Sequence, residues 1–363
     1  MKQFKICVYA ICKNEEKFVK RWLESMSEAD YICVLDTGST DNTVKLLKEN
    51  NKVIVKQQII KPWRFDTARN ESLKLIPDDA DFCVCTDLDE IFEKGWRKKL
   101  EENILPTTKI VQYKYVWNFN DDGTEGVTFY ASKIHKNKEF YWKNPVHEVI
   151  TYLKSDKPET ILIKDLQLNH HADNNKSRSQ YLPLLQLAVK EDPQNDRNMH
   201  YLGREYYFYG QYENAIKTFK KHLNLKSATW KDERSASLRY IAICYSNLNK
   251  PKLAEKYYKL SIVESPKTRE SYYELAKFYY NNQKYLDAIC YMESMLNIAE
   301  RQLNYISNPE CWSYSPYDIL SLCYYKIKNK EKSLANCYKA MQLNPTDERI
   351  INNYNIIKNT IFN

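Results

Sequence analysis

The sequence predicts a mixed α/β domain over residues 1–175, followed by an all-α domain of helical repeats over residues 176–363. Three observations lead to this prediction. The chain has 363 residues, which is enough for two domains of ordinary size. Strand and helix patterns alternate up to about residue 170, as in a largely parallel sheet with helices on both faces. Beyond residue 176 the strand pattern ends and paired helical patterns recur.

The elements of the first domain follow from apolar runs and their spacing. Short apolar runs predict strands at residues 4–10, 31–35, 52–58, 81–86 and 110–117. Helical spacing predicts helices at residues 15–27, 42–49, 67–75 and 95–102. In an open α/β sheet the ligand lies outside the carboxyl ends of the strands. The residues that directly follow the predicted strands are therefore the candidates for a site.

Polar clusters follow three of these strands. Residues 12–15 (CKNE) follow the first strand, residues 36–39 (DTGS) follow the second and residues 87–90 (DLDE) follow the fourth. Because the carboxyl ends of parallel strands meet at one edge, the three clusters are expected to lie together. The sequence therefore predicts one site at this edge.

The second domain carries a repeated small residue. Ala215, Ala254, Ala288 and Ser333 recur at intervals of roughly 34–45 residues, and each precedes a larger side chain by four positions. A period near 34 with a small residue where two helices cross is the tetratricopeptide pattern. An ordinary helical bundle is the alternative, since the intervals are irregular.

Composition and charge narrow the class of protein. Hydrophobic residues make up 43% and charged residues 28%, as in soluble globular proteins. The apolar run at residues 4–12 is too short to span a membrane and has no cleavage site, so it is read as a buried strand. Ten irregularly spaced cysteines fit a reducing, cytoplasmic setting. The net charge of +8 favours anionic partners, but no basic run longer than residues 97–99 supports nucleic-acid binding.

Paired carboxylates indicate a metal site. Asp87 and Asp89 are two positions apart at a strand end, so their side chains share a face. Mg²⁺ and Mn²⁺ prefer such oxygen ligands and also bind diphosphates. The alternative is that one of these acids caps the helix predicted near Gly95. His147, beside Glu148, or the pair His170 and His171 could complete the metal shell.

Several segments together resemble a known family. They are residues 34–41 (VLDTGSTD), 63–70 (WRFDTARN), 87–89 (DLD), 145–148 (PVHE), 170–178 (HHADNNKSR), 195–198 (NDRN) and 203–205 (GRE). In this order they resemble the family 2 glycosyltransferases of GT-A fold, in the bacterial and phage subset with fused C-terminal tetratricopeptide repeats. Thr37 stands where that family has a second aspartate, which leaves Asp36 as the carboxylate of its block.

The resemblance implies a UDP-sugar donor, a Mn²⁺ or Mg²⁺ cofactor and a set of nucleotide-binding positions. The residues it implicates in binding the nucleotide are Ala10, Cys12, Asn14, Glu15, Asp36, Asp66, Arg69 and Asp87. The metal ligands we take from it are Asp89, His147 and His171. Each has a plainer alternative: Asp36 could shape an Asx-turn, Glu15 could stabilise the start of a helix, and Arg69 could pair with Asp66.

Catalysis and loop closure are assigned to residues outside the strand ends. The resemblance makes Glu148 the general base of an inverting transfer, with an ion pair to Lys143 or to a helix of the repeat domain as the alternative. Asp121 and Asp122 adjoin Gly123 in a predicted hairpin turn, where they are expected to shape the loop. Lys176 and Arg178 lie in a polar segment that could close over the diphosphate or simply link the domains.

The predicted function is a metal-dependent transfer of a hexose, glucose or N-acetylglucosamine, from a UDP-sugar to an acceptor. The concave surface of helical repeats suits an extended partner, so the acceptor is expected to be a protein, peptide or glycan, with self-association left open. Two rivals remain: a non-catalytic scaffold with a degenerate nucleotide-binding domain, and a nucleotidyltransferase. The intact pair Asp87 and Asp89 disfavours the non-catalytic scaffold. The absence of glycine from residues 10–16 disfavours the nucleotidyltransferase.

Overall fold

The computed structural model describes residues 4–120, 122–173 and 179–360. The chain forms two compact units, one reaching to Ala188 and the other beginning at Val189, with the short segment Leu303–Tyr305 grouped with the first. The boundary predicted between residues 175 and 176 lies outside the described residues and stays a prediction.

The first unit is built on a mixed sheet of eight strands, in the order β3-β2-β1-β4-β7-β6-β10-β5, and a separate hairpin of β8 and β9. The strands are β1 (Ile6–Cys12), β2 (Tyr31–Asp36), β3 (Val53–Gln57), β4 (Phe82–Cys85), β5 (Glu90–Phe92), β6 (Ile110–Val116), β7 (Thr128–Lys136), β8 (Phe140–Lys143), β9 (Val149–Tyr152) and β10 (Thr160–His170). The α/β class predicted for this unit is confirmed.

Strands β1 to β4 are parallel to one another, and this aligns their carboxyl ends. The register places Cys12 opposite Asp36 and Tyr9 opposite Cys85. Every residue of β1 and β4 is buried, as expected for parallel strands covered on both faces. The polar segments after β1, β2 and β4 therefore emerge at one edge, as predicted.

Fourteen α-helices and a 3₁₀ helix, Pro309–Trp312, lie in the described ranges. They are α1 (Glu16–Met26), α2 (Thr43–Lys48), α3 (Phe65–Leu73), α4 (Trp96–Asn103), α5 (Tyr181–Glu191), α6 (Asp196–Phe208), α7 (Tyr212–Asn224), α8 (Lys231–Asn247), α9 (Pro251–Glu264), α10 (Arg269–Asn281), α11 (Tyr285–Leu296), α12 (Ser315–Lys326), α13 (Lys330–Leu343) and α14 (Glu348–Asn359). In the described residues, none of these helices has both the length and the apolar character needed to cross a membrane.

The second unit is all-helical, and its small repeated residues lie where the sequence predicts. Ala215, Ala254, Ala288 and Ser333 fall on α7, α9, α11 and α13, and all four are fully buried. Each of these helices packs against the helix before it, so a small side chain at this point lets the two backbones approach closely. The predicted helix pairs are therefore present.

Candidate active site

The loops after β1 and β2 are tied to each other. The backbone amide of Asn14 donates to Ser39 Oγ at 2.8 Å, and the amide of Thr40 donates to Asn14 Oδ1 at 2.8 Å. The amide of Thr37 donates to the carbonyl of Cys12 at 2.9 Å. The structure thus brings these two predicted clusters together, with Asn14 as the residue that fastens them.

Asp36 is fully buried and serves the loop that follows it. Its Oδ1 accepts from the amides of Gly38 at 3.2 Å and Ser39 at 3.1 Å, and Gln57 Nε2 donates to it at 3.4 Å. This is the Asx-turn arrangement given above as the alternative role of Asp36. Its contact with uracil stays a prediction.

Arg69 links two elements of the site. Its Nε donates to Glu148 Oε1 at 2.6 Å, and its Nη2 donates to Asp87 at 2.9 and 3.2 Å. Nη1 donates to Cys85 Sγ at 3.2 Å. The guanidinium is buried, which by itself lowers the pKa of Arg69, but the charges of Asp87, Cys85 and Glu148 raise it well above its usual value. The alternative pairing of Arg69 with Asp66 is not the one observed.

A second cation, Lys133 on β7, lies beside the carboxylates of the site and was not predicted from the sequence. Its Nζ lies 2.9 Å from Glu90 Oε1 and 3.6 Å from Asp87 Oδ2. Burial would raise the pKa of Asp87, but Arg69 and Lys133 together hold it well below its usual value. Lys133 lies in a strand of mixed polar and apolar residues, TFYASKIHK, so no local pattern in the sequence marks it for this role.

Among the histidines, His170 is the one whose ring faces the second aspartate. His170 Nε2 lies 3.5 Å from Asp89 Oδ2, and its Nδ1 lies 2.9 Å from the carbonyl of Trp117. Burial lowers the pKa of His170, but Asp89 outweighs this and raises it.

The other two histidines are placed differently from His170. The His171 amide donates to the carbonyl of Asp89 at 2.8 Å, while its ring stacks on Phe119 with centroids 5.5 Å apart. The ring of His147 lies 5.7 Å from that of Tyr181. The His170 ring thus lies beside the Asp89 carboxylate, and the assignment of His147 and His171 as metal ligands stays a prediction.

The segment that carries Glu148 is docked on α3. The amide of Phe65 donates to the carbonyl of Pro145 at 3.0 Å. Asn70 and Trp142 exchange two hydrogen bonds of 2.8 and 2.9 Å. Among the described residues, the one hydrogen-bond partner of the Glu148 carboxylate is Arg69 Nε, which binds Oε1. Two segments that are far apart in the sequence, WRFDTARN and PVHE, thus form one structural unit.

The remaining predicted residues have the following contacts, and their part in binding a nucleotide stays a prediction. Asp66 forms a two-point ion pair with Arg64, with distances of 3.0 and 2.8 Å. Glu15 is buried at the start of α1, where its amide donates to Thr43 Oγ1 at 2.7 Å. Ala10 is fully buried within β1. The predictions for Lys176, Arg178 and Asp121 concern positions outside the described residues.

These features define the first unit as an α/β domain with a charged site at the carboxyl edge of its sheet, where such domains bind nucleotides. Residues 7–155 match the model of the family described as Glycosyl transferase family 2. The chain is also similar to the lipopolysaccharide core biosynthesis glycosyltransferase LpsC of Rhizobium meliloti (strain 1021), with 27% identity over 110 residues. That match spans 30% of this chain and 40% of LpsC, so it leaves more than half of the relative uncovered.

Two solved structures are similar to about half of this chain. PilF of Pseudomonas aeruginosa matches with a TM-score of 0.37 and 15% identity, covering 48% of this chain and 71% of that one. A tetratricopeptide-repeat protein of Cytophaga hutchinsonii matches with a TM-score of 0.41 and 16% identity, covering 50% of this chain and 66% of its own.

Proposed function

We propose that the protein is a metal-dependent, inverting glycosyltransferase that moves a hexose, glucose or N-acetylglucosamine, from a UDP-sugar to an acceptor. The observation that carries the proposal is the charged cluster of Arg69, Asp87, Asp89 and Glu148 at the carboxyl edge of the domain that matches family 2. The family match disfavours the nucleotidyltransferase rival. A scaffold without activity has no need to hold two carboxylates on one buried arginine.

The residues around Asp89 fit a Mn²⁺ or Mg²⁺ ion. Asp89 offers an oxygen and His170 a ring nitrogen 3.5 Å from it, while Asp87 is already bound by Arg69. Two protein ligands suffice, because phosphate oxygens and water fill the other positions of such ions. When bound, the ion neutralises the charge that develops on the departing diphosphate.

Glu148 is assigned the proton transfer. Its Oε1 is held by Arg69 at 2.6 Å, which orients the carboxylate, and Oε2 accepts no hydrogen bond from the described residues. Oε2 can therefore receive the proton of the acceptor group as the new bond forms. Asp87 is a poorer base, because Arg69 and Lys133 lower its pKa.

The donor and acceptor are assigned by class. Asp36 and Asn14 shape the paired loops at the edge of the sheet, where a nucleotide base would bind. The helical repeats offer a surface suited to an extended protein, peptide or glycan acceptor.

Calorimetric titration with UDP tests the donor and the metal together. UDP should bind in the presence of Mn²⁺ and lose most of its affinity in excess EDTA or in the variant Asp89→Asn. The matched control is Asp81→Asn, at the amino end of β4, where the carboxylate binds Lys136 and the site is not involved. Equal UDP affinity with and without EDTA would remove the metal from the proposal. Equal affinity for UDP and GDP would remove uridine.

A further inference from the structure

The second unit contains a group of buried side chains that the proposed transfer does not use. Asp196, His222 and Glu233 each offer one ligand atom, and these three atoms lie within 4.8 Å of one another. The residues come from the first turn of α6, the last turn of α7 and the first turn of α8. His222 and Glu233 are buried, and Asp196 stands half-buried at the rim.

Helix periodicity arranges this group in two layers. Asp196 and His200 are one turn apart on α6, and Glu233 and Ser237 are one turn apart on α8, so each pair shares a helix face. His222 reaches both layers: its Nε2 lies 3.2 Å from Glu233 Oε1, and its Nδ1 lies 2.9 Å from Ser237 Oγ. Ser237 Oγ in turn lies 2.8 Å from His200 Nδ1.

We propose that Asp196, His222 and Glu233 form a site for a divalent transition-metal ion, with Zn²⁺ as the ion whose chemistry fits best. Zn²⁺ takes imidazole nitrogen and carboxylate oxygen as ligands, and three protein ligands with one water complete its tetrahedral coordination. Two ligand atoms about 2.0–2.1 Å from a tetrahedral zinc lie about 3.3 Å apart. The His222–Glu233 separation of 3.2 Å matches that spacing, and the ion would also neutralise two neighbouring carboxylates.

The inner layer supplies the outer partner that a metal-bound imidazole requires. Such an imidazole usually donates its other N–H to a hydrogen-bond acceptor, which fixes its tautomer. Here His222 Nδ1–H can donate to Ser237 Oγ, and the Ser237 hydroxyl can donate to His200 Nδ1. A neutral His200 ring that carries its proton on Nε2 can accept at Nδ1. This order of donors leaves the His222 Nε2 lone pair free to bind the ion.

A competing arrangement uses a proton in place of the ion. If the relay runs in the opposite direction, His222 Nε2–H donates to Glu233 and no metal is needed. The acids would then serve only to stabilise the first turns of α6 and α8. Metal content distinguishes the two arrangements, and neither depends on the transferase reaction.

The test is the zinc content of the purified full-length protein after incubation with Zn²⁺ and gel filtration, measured by mass spectrometry. Wild type and Asp89→Asn should each retain the ion, while Asp196→Asn and Glu233→Gln should lose it. The matched control is Asp232→Asn, in the same first turn of α8 but bonded to Ser265, and it should retain the ion. Ser237→Ala should weaken Zn²⁺ affinity by roughly 10–100-fold, as expected for an outer partner.

A second measurement does not depend on any variant. Zn²⁺ should raise the thermal unfolding temperature of the EDTA-treated wild type, because an ion that binds only the folded state stabilises it. If Glu233→Gln does not fold, the zinc content of Asp196→Asn, at the rim of the group, tests the site instead. Zinc retention by Asp196→Asn equal to that of wild type would overturn the site. So would a wild type that neither retains zinc nor melts at a higher temperature with it.

Discussion

At the scale of single residues, Arg69 determines what the neighbouring carboxylates can do. Its three nitrogens bind Glu148, Asp87 and Cys85, so Asp87 is neutralised in place. Removing one member of a buried ion pair leaves the other charge uncompensated at a cost of about 3–5 kcal/mol. Variants of Glu148 therefore need to preserve this contact, and glutamine does so because its amide oxygen can still accept from Arg69 Nε.

Glu148→Gln should therefore separate binding from chemistry. The variant keeps the shape and the contact to Arg69 but cannot take up the acceptor proton, so UDP-sugar should bind with near-normal affinity. Transfer should slow by about 10²–10⁴-fold, the usual contribution of a general base. The measurement pairs donor titration with single-turnover transfer.

The matched control for this variant is Glu139→Gln. Glu139 directly precedes β8, and its carboxylate binds Lys109 at 2.7 Å. It should transfer at close to the wild-type rate. Near-wild-type transfer by Glu148→Gln would refute the assignment. A product with the anomeric configuration of the donor would refute it as well, because a retaining mechanism has no use for this base.

His135 should make folding sensitive to mild acid. Its ring is buried, with Nε2 2.8 Å from the hydroxyl of Tyr9, and burial lowers its pKa from 6.5 to about 4. Below pH 6.5 the unfolded chain gains a proton at this ring, whereas the folded chain gains it only near pH 4. The free energy of unfolding should thus fall as the pH drops through this window, by about 1.4 kcal/mol per pH unit from this group.

Denaturant unfolding at several pH values measures this slope. His135→Gln should be less stable than wild type at pH 7 and show a shallower decline between pH 6.5 and 4, because the variant has no group to protonate there. Parallel curves for the two proteins over that range would show that His135 is not responsible for the decline.

At the scale of elements, periodicity predicts which segments form strands and helices, but it does not predict which strands pair or which helices pack together. All nine elements predicted for the first unit are present, with ends displaced by a few residues. Strands β7 and β10 were not predicted, because each exposes part of its length and lacks a continuous apolar run. The shared edge is found as predicted because β1, β2 and β4 pair in parallel, which the alternation of strands and helices indicates.

The candidate site shows where prediction from the sequence stops. The acidic clusters were located because they directly follow strands. The contacts of Arg69 with Glu148 and of Lys133 with Glu90 join residues far apart in the chain, and no local spacing encodes them. The position of His170 near Asp89 depends on the antiparallel pairing of β10 with β5, which sets Glu90 opposite His170.

Gly203 gives a test of packing between α6 and α7. A Cβ at this position would lie 2.6 Å from Phe219 Cε1 and 2.7 Å from Cδ1. Phe219 is fully buried and stacked on Tyr240, so it has little room to move. Overpacking costs about 1–3 kcal/mol, against a gain of about 1 kcal/mol in helix propensity. Gly203→Ala should therefore destabilise the protein, as measured by denaturant unfolding.

The double variant Gly203→Ala with Phe219→Leu supplies the control. Shortening the ring removes the clash, so the loss of stability in the double variant should be smaller than the sum of the two single losses. Strict additivity would show that the contact between Gly203 and Phe219 does not limit the packing of these helices.

At the scale of the whole molecule, the two units carry different proposed tasks. The family 2 match and the charged site belong to the first unit, and the repeats with the proposed zinc site belong to the second. The first unit reaches Ala188 and includes most of α5. The thermal stability of a fragment of the first unit should therefore depend on the residue at which the fragment ends.

A fragment of residues 1–188 should be more stable than one of residues 1–178. The longer fragment retains Tyr181, whose ring lies 6.3 Å from Phe65 and 5.7 Å from His147, and thereby supports the segment that carries Glu148. Thermal unfolding should show a higher midpoint for the longer fragment, which should also bind UDP with Mn²⁺ and hydrolyse UDP-sugar slowly. It should not transfer to the acceptor, since the repeats are proposed to bind it. Equal midpoints would refute the support from α5, and transfer at the full-length rate would show that the repeats do not hold the acceptor.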